Sequence, residues 1–188
     1  PVRPGPKALE VAQDRLTEKD FVRALGIGTA PYAAAATAEE ARAAFAALGA
    51  KAAIVKTRRL GYDGKGQARV ASAEEAAAAV AAFAAPCILE GLVAFRQEIS
   101  VVAARGADGR IEAYDPVENR HREGILRETL APARLGAGAG AEAWRIAGAI
   151  LEALDYVGVI GVEMFALPGG GLLVNELAPR VHNSGHWT

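Results

Sequence analysis

Two apolar runs, 158–167 and 171–177, meet at Pro168-Gly-Gly-Gly, where the chain has little choice but to reverse. Val159, Ile160, Val162, Met164 and Phe165 fill the first run, and Leu172, Leu173, Val174 and Leu177 the second. Strands apolar on both faces are usually buried strands. With Gly169 and Gly170 at the centre of the turn, a symmetric hairpin sets Leu167 opposite Leu172 and Glu163 opposite Glu176. Facing residues have Cβ atoms ~5 Å apart, and two carboxylates at ~5 Å repel by roughly 3 kcal/mol at an effective dielectric of ~20. Either the pair sits at a solvated hairpin end, or arginines neutralise it, or a hard cation such as Mg²⁺ holds it through carboxylate oxygens. Asn175 adds a neutral oxygen, but strict alternation points it to the other face and a local bend is needed to bring it in.

The chain has 188 residues, enough for one domain or one domain in two lobes. It is 52% hydrophobic and 23% charged, as folded chains are, with alanine supplying most of the apolar count. A net charge of −1 argues against a general nucleic-acid or membrane-surface binder. Cys87 alone cannot form an internal disulfide, and no signal peptide opens the chain, so a cytoplasmic protein is expected. The longest apolar run, 76–89, is short of the ~20 residues of a membrane span and contains Pro86.

Residues 1–13 read as a proline-rich, irregular lead-in. Leu16, Phe21, Val22 and Leu25 give an apolar stripe to a helix at 15–25. Thr37-x-x-Glu40 and Ser72-x-x-Glu75 are capping boxes that open alanine-rich helices ending near Leu48 and Ala84. Strands are expected at 31–35, 52–56, 67–71 and 86–91, and then at 97–104 and 111–114 across an Ala107-Asp-Gly turn. Residues 121–135 show no clear pattern, and Gly136, Gly138 and Gly140 read as a linker before a helix at 142–154. This order predicts an α+β fold of two small lobes, 14–91 and 92–188.

Lys56 ends a strand, and Gly61-Tyr62-Asp63-Gly64-Lys65-Gly66-Gln67 follows. Glycines free the backbone to turn N–H groups inward, and such nests hold phosphate oxygens. Along 56–69, Lys56, Arg58, Arg59, Lys65 and Arg69 face one acid, Asp63, a local charge of +4 that suits a polyphosphate. The loop is not a Walker A sequence, because Gln67 stands where a lysine is required. The bland reading is an exposed basic turn. After Glu176 the chain crowds Arg180, His182, Asn183, Ser184 and His186 into a polar end segment, which Pro179 and Trp187 are expected to pack down. Glu90, Glu98 and His121 are further polar candidates that spacing alone does not assign.

Four segments together carry a resemblance: Gln13-Asp-Arg-Leu-Thr-Glu-Lys, Gly61-Tyr-Asp-Gly-Lys-Gly-Gln, Asn119-Arg-His-Arg-Glu-Gly-Ile-Leu and Asn175-Glu-Leu-Ala-Pro-Arg-Val-His-Asn-Ser-Gly-His-Trp-Thr. They resemble the ATP-grasp part of the 5-(carboxyamino)imidazole ribonucleotide synthases of purine biosynthesis, from Gln13 to the end of the chain. The resemblance implies an ATP-grasp fold with the nucleotide between two lobes. It implies ATP, Mg²⁺ (with Mn²⁺ as a substitute), bicarbonate and 5-aminoimidazole ribonucleotide, with carboxyphosphate as the intermediate and a homodimer for the full-length enzyme. Carried over, Arg15 and Lys56 hold phosphates under a mobile loop made of Gly61, Tyr62, Asp63, Gly64, Lys65, Gly66 and Gln67. Glu90, Gly91, Leu92 and Val93 read adenine, Glu98 the ribose, and His121 lines the nucleotide site. Glu163 and Glu176 become magnesium ligands with Asn175 beside them. Tyr62, Asp63 and Lys65 face the ribonucleotide, and Arg180, His182 and Asn183 hold bicarbonate or carboxyphosphate. Family members carry a Rossmann-like domain before these motifs and a small domain after them. This chain is therefore expected to be the central domain by itself, binding ATP but depending on the flanking domains for turnover. Another ATP-grasp ligase with a different acceptor, or a non-catalytic nucleotide-binding module, remains the alternative.

Overall fold

A computed structural model of the protein describes residues 2–61 and 65–188. The chain runs through α1 (Pro6–Ala12), α2 (Arg15–Ala24), β1 (Tyr32–Ala35), α3 (Ala38–Leu48), β2 (Ala53–Thr57), β3 (Gln67–Val70), α4 (Ala73–Phe83) and β4 (Cys87–Gly91). It continues through β5 (Gln97–Arg105), β6 (Ile111–Ala113), β7 (Val117–Arg122), β8 (Ile125–Leu130), α5 (Ala139–Ala153), β9 (Gly158–Ala166) and β10 (Leu172–Ala178), and closes with a 3₁₀ turn at Asn183–Gly185. It divides into two units. The smaller takes Asp14–Leu16 and Ala30–Val93; the larger takes the chain up to Gln13, Thr17–Thr29 and Ala94–Thr188.

In the smaller unit an antiparallel sheet of order β1-β4-β2-β3 packs with α3 and α4. Both capping boxes form: Thr37 accepts from the Glu40 amide at 3.2 Å and Ser72 from the Glu75 amide at 3.1 Å. Each such cap contributes about 1 kcal/mol. The two glutamates reach back one residue past the cap, to the amides of Ala36 and Ala71. Gly49 stops α3 at φ 58, a conformation that costs glycine nothing. Alanines 35, 41, 44, 53 and 76 build the core with Val55, Val70, Val80, Cys87 and Leu89. Burial raises the Cys87 thiol above its ordinary range, so it serves as a small apolar residue there.

In the larger unit the sheet order is β10-β9-β5-β7-β8, with β6 on β5, and these strands all pair antiparallel. Alternation sorts the two faces. Ile99, Val101 and Ala103 of β5 and Ile160, Val162, Met164 and Ala166 of β9 share a core with Ile146, Ile150 and Leu151 of α5. The opposite face therefore carries Glu98, Ser100 and Val102 from β5 and Gly161, Glu163 and Phe165 from β9. The C-terminal segment lies on this second face. A Cβ at Gly161 would come within 2.8 Å of His182 Cβ and Cγ, so only glycine admits the segment there.

Several expectations need correction. The lead-in is not irregular: Pro6 starts α1, where its missing N–H is no loss, and Ala8 and Val11 are buried in the larger core. Residues 17–29 group with the larger unit, not with 30–93 as chain order suggested. In α2, Val22 is buried as expected, but Glu18 and Lys19 are buried too, while Leu16, Phe21 and Leu25 are only half-buried. Residues 121–135 contain most of a β7–β8 hairpin, turned at Glu123 and Gly124. Gly140 belongs to α5, which Gly138 precedes in the left-handed region.

Candidate functional site

The β9–β10 register explains how two acids come to face each other. Next to the turn, Leu172 pairs with Ala166 and Val174 with Met164, one position off the symmetric expectation of Leu167 with Leu172. A bulge at Asn175 then absorbs one residue, and Glu176 pairs with Glu163, as expected from the sequence. The bulge also switches parity. Leu172 and Val174 point to the core before it and Leu177 after it. Without the extra residue Glu176 would continue the Leu172–Val174 row into the apolar core. The local bend that Asn175 required is thus present, and its side chain hydrogen-bonds Glu163.

The bulge is fastened from α2. Lys19 Nζ donates to the Asn175 carbonyl at 3.2 Å, and the Leu177 amide donates to Glu18 Oε2 at 3.0 Å. Just before it, the Val174 amide donates to the Gly28 carbonyl at 2.8 Å. Both buried charges of α2 thus bond the backbone of this strand.

The expectation of a dry carboxylate pair does not hold for both partners. Glu163 is largely covered, but Glu176 is exposed. Water screens their repulsion toward the roughly 1 kcal/mol found at ~4 Å in bulk solvent, so repulsion by itself does not demand a cation. The donor set speaks for one instead. Asn175 Oδ1 is buried with no hydrogen-bond partner, beside two carboxylates. A neutral amide oxygen and two carboxylates suit a hard divalent ion whose remaining positions are filled by phosphate or water oxygens. Among the described residues no group of three or more His, Cys, Asp or Glu side chains is arranged to hold a metal.

His182 is buried against this face with both ring nitrogens committed. Nε2 lies 2.9 Å from Glu163 Oε1, and Nδ1 lies 2.8 Å from the Ser184 hydroxyl. Burial pushes the Glu163 carboxyl up, but the hydrogen bond from His182, the charges of His182 and His121, and the bond from Asn175 outweigh it and leave it below its ordinary value. The expected anion-binding role of His182 therefore meets a ring that is enclosed. Arg180 and Asn183 are exposed, with Arg180 donating to the Val181 carbonyl at 2.8 Å. Trp187 packs edge-on against Tyr114 at 5.4 Å and donates to the Ser184 carbonyl, so the end segment is held down.

On the same sheet, His121 Nδ1 lies 2.7 Å from Glu98 Oε2. The hydrogen bond to Glu98 raises the His121 pKa above 6.5, burial opposes it, and the charges of Glu98 and Glu163 add to it. A raised folded-state pKa contributes stability that is complete below the unfolded value and is lost as pH rises through the folded one. The expected result is that His121→Gln flattens the stability profile across this window, as read by urea denaturation at several pH values. A profile that keeps its slope would assign the dependence to another group.

The smaller unit brings together the other candidates. Lys56 Nζ sits 3.1 Å from Glu90 Oε2, the two side chains being 15% and 5% exposed. The β2–β4 register sets Glu90 opposite Ile54, so Lys56 is its diagonal neighbour on one face. Asp14, 2% exposed, was not singled out from the sequence. It accepts from Arg58 at 2.8 and 3.0 Å, from Arg59 at 3.1 Å, and from the Leu16 amide at the start of α2. Counting Asp14 and Glu90 halves the local excess of +4 read along the chain, because the fold brings in acids from elsewhere. Arg15 donates to the carbonyls of Thr57 and, at 3.5 Å, Gly61, bracing the start of the glycine-rich loop. Gly66, at φ 70, closes that loop by accepting from the Thr57 amide at 2.8 Å. Lys65 and Gln67 are exposed; Tyr62, Asp63 and Gly64 lie outside the described residues. The Gly91 amide donates to the Pro31 carbonyl, Leu92 is exposed and Val93 half-buried.

Comparison with known proteins identifies the fold that carries these residues. The ATP-grasp domain family model matches residues 20–188. An N5-carboxyaminoimidazole ribonucleotide synthase of Brucella melitensis is 51% identical over 190 residues, which cover 100% of this chain and 52% of that protein. The crystal structure of N5-carboxyaminoimidazole ribonucleotide synthetase from Thermus thermophilus superposes with a TM-score of 0.92 at 46% identity, covering 100% of this chain and 51% of that one. An Aspergillus clavatus N5-carboxyaminoimidazole synthase in complex with ADP and 5-aminoimidazole ribonucleotide gives 0.88 at 28%, covering 98% and 48%. The chain spans about half the length of the relatives it matches. Its α+β architecture is the ATP-grasp fold, and with the family match running from α2 to the last residue, the chain belongs to the ATP-grasp family.

Proposed function

We propose that this chain is the ATP-grasp core of an N5-carboxyaminoimidazole ribonucleotide synthase. It would use ATP to join bicarbonate to the amine of 5-aminoimidazole ribonucleotide, the segments present in its longer relatives completing the site. The match to enzymes of that name over the whole chain supports the substrate class. The observation that carries the nucleotide-handling chemistry is the Asn175 bulge, which sets a buried, unpartnered amide oxygen beside two facing carboxylates.

In this reading Glu163, Glu176 and Asn175 Oδ1 would hold Mg²⁺ or Mn²⁺, and the ion when bound would neutralise charge on the transferring phosphoryl group. Lys56 and Arg15 would hold phosphate oxygens, with residues 61–67 closing over them. Glu90 to Val93 would read adenine and Glu98 the ribose, and His121 would line the nucleotide site. Tyr62, Asp63 and Lys65 would face the ribonucleotide. A bicarbonate oxygen, held by Arg180 and Asn183, would bond to the γ-phosphorus as the bond to ADP breaks, giving carboxyphosphate. The substrate amine would then attack its carbon, expelling phosphate and losing one proton. His182 would act through Glu163, which it holds in place.

Glu176→Gln keeps the size of an exposed side chain, so the fold should persist by circular dichroism. Titration calorimetry with a non-hydrolysable ATP analogue and Mg²⁺ should show affinity lower by at least the roughly 10–100-fold seen when even an outer-sphere metal partner is lost. Unchanged affinity would refute the ligand role. ADP release from a chain extended to the relatives' full length, with bicarbonate and either 5-aminoimidazole ribonucleotide or other amines, tests the acceptor.

A further inference from the structure

Beneath His182 runs a buried line of polar groups that the reaction does not touch. Thr129 Oγ1 donates to Asn119 Oδ1 at 3.2 Å, and Asn119 Nδ2 donates to Ser100 Oγ at 2.9 Å. Ser100 Oγ lies 2.7 Å from Ser184 Oγ, which lies 2.8 Å from His182 Nδ1. Ser100 and Ser184 are 0% exposed, Asn119 5% and His182 6%. The register makes this line possible: Ser100 pairs across β5–β9 with Glu163, and Asn119 pairs across β5–β7 with Glu98.

The polarity of the line follows from its members. An amide nitrogen only donates, so Ser100 must accept from Asn119. The single proton of Ser100 is then free for Ser184, and that of Ser184 for His182 Nδ1. The Ser184 backbone N–H, which also can only donate, points at the same Nδ1 from 3.4 Å. Two donors aimed at Nδ1 make it the acceptor. In the neutral ring the proton then sits on Nε2, 2.9 Å from Glu163 Oε1. The opposite tautomer would set a ring lone pair against a carboxylate oxygen.

We propose that Ser100, Asn119 and Ser184 are positioning residues that lock His182 in its Nε2–H tautomer, so that its proton always meets Glu163 and fixes the orientation of that carboxylate. The purpose assigned to this lock rests on the reading of Glu163 as an ion ligand. The lock itself is readable without ion or nucleotide.

The test is nitrogen NMR of the whole chain labelled at histidine, well above the pH at which an ordinary imidazole titrates. His121→Gln and His186→Gln assign the His182 signals. The wild-type ring should show Nδ1 in the unprotonated class and Nε2 in the protonated class, with no averaging between them. Asn119→Asp replaces the donating amide by an acceptor, turns Ser100 and then Ser184 away from the ring, and should move the Nδ1 signal toward the averaged position. Ser184→Ala should do the same, and Ser184→Thr, which keeps the hydroxyl, should restore the wild-type signal. A wild-type ring protonated at Nδ1, or averaged tautomers, would overturn the proposal. So would unchanged His182 signals in whichever of Asn119→Asp and Ser184→Ala folds. If the tautomer is locked but Glu176→Gln leaves nucleotide affinity unchanged, the lock stands and the ion reading fails.

Discussion

Lys56→Met is expected to destabilise the protein by about 3 kcal/mol, the lower end of the range for removing one member of a buried ion pair. The cost arises from what remains. Glu90 is 5% exposed, and the substitution takes away the ammonium 3.1 Å from its carboxylate. Methionine fills nearly the same volume, so packing is not the cause. Adding Glu90→Gln removes the buried negative charge and should recover part of the loss, a coupling that a double-mutant cycle in urea isolates. The two roles of Lys56 separate in the same experiment. Stability should partly return in the double variant, whereas ATP affinity should stay low if the lysine also holds phosphate. A cost under about 1 kcal/mol for Lys56→Met would place the pair among ordinary surface ion pairs.

Gly161→Ala should act on the site from outside it. Its new Cβ would stand 2.8 Å from two carbons of His182, closer than packed carbons come, so the end segment must lift. Overpacking of this kind costs about 1–3 kcal/mol. The second effect is the more telling one: the ring should leave Glu163, and the lifted segment should become open to proteases. Gly148→Ala is the control. It lies inside α5 with nothing within 4 Å of the added carbon, and alanine should there stabilise by about 0.5–1 kcal/mol. If both variants behave alike, the close approach at Gly161 has no energetic consequence.

What could be read from the sequence was whatever local chemistry decides. Thr37-x-x-Glu40, Ser72-x-x-Glu75 and the proline–glycine turn each fix structure within a few residues, and each appears where the spacing put it. The Glu163–Glu176 pairing was reached by symmetry about that turn. The hairpin is not symmetric; the pairing survives because the Asn175 bulge cancels a one-residue offset. A signal for that bulge was present, since the core-facing residues Leu172, Val174 and Leu177 break the spacing of two. The β7–β8 hairpin was missed because its turn is Glu123-Gly124, without the asparagine or aspartate that marks most two-residue turns. Asp14, Glu18 and Lys19 were not legible in their long-range roles, because Arg58, Asn175 and Leu177, which they bond, are tens to well over a hundred residues away.

β10 is the outermost strand of its sheet, and an outermost strand ordinarily invites a neighbour's backbone to join it. Here Gly28, Lys19 and Glu18 already bond the backbone of Val174, Asn175 and Leu177 along that margin. A second molecule could add to the sheet along β10 only by first displacing these contacts. The fastening that shapes the Asn175 bulge therefore also guards this rim against fibre-like self-assembly.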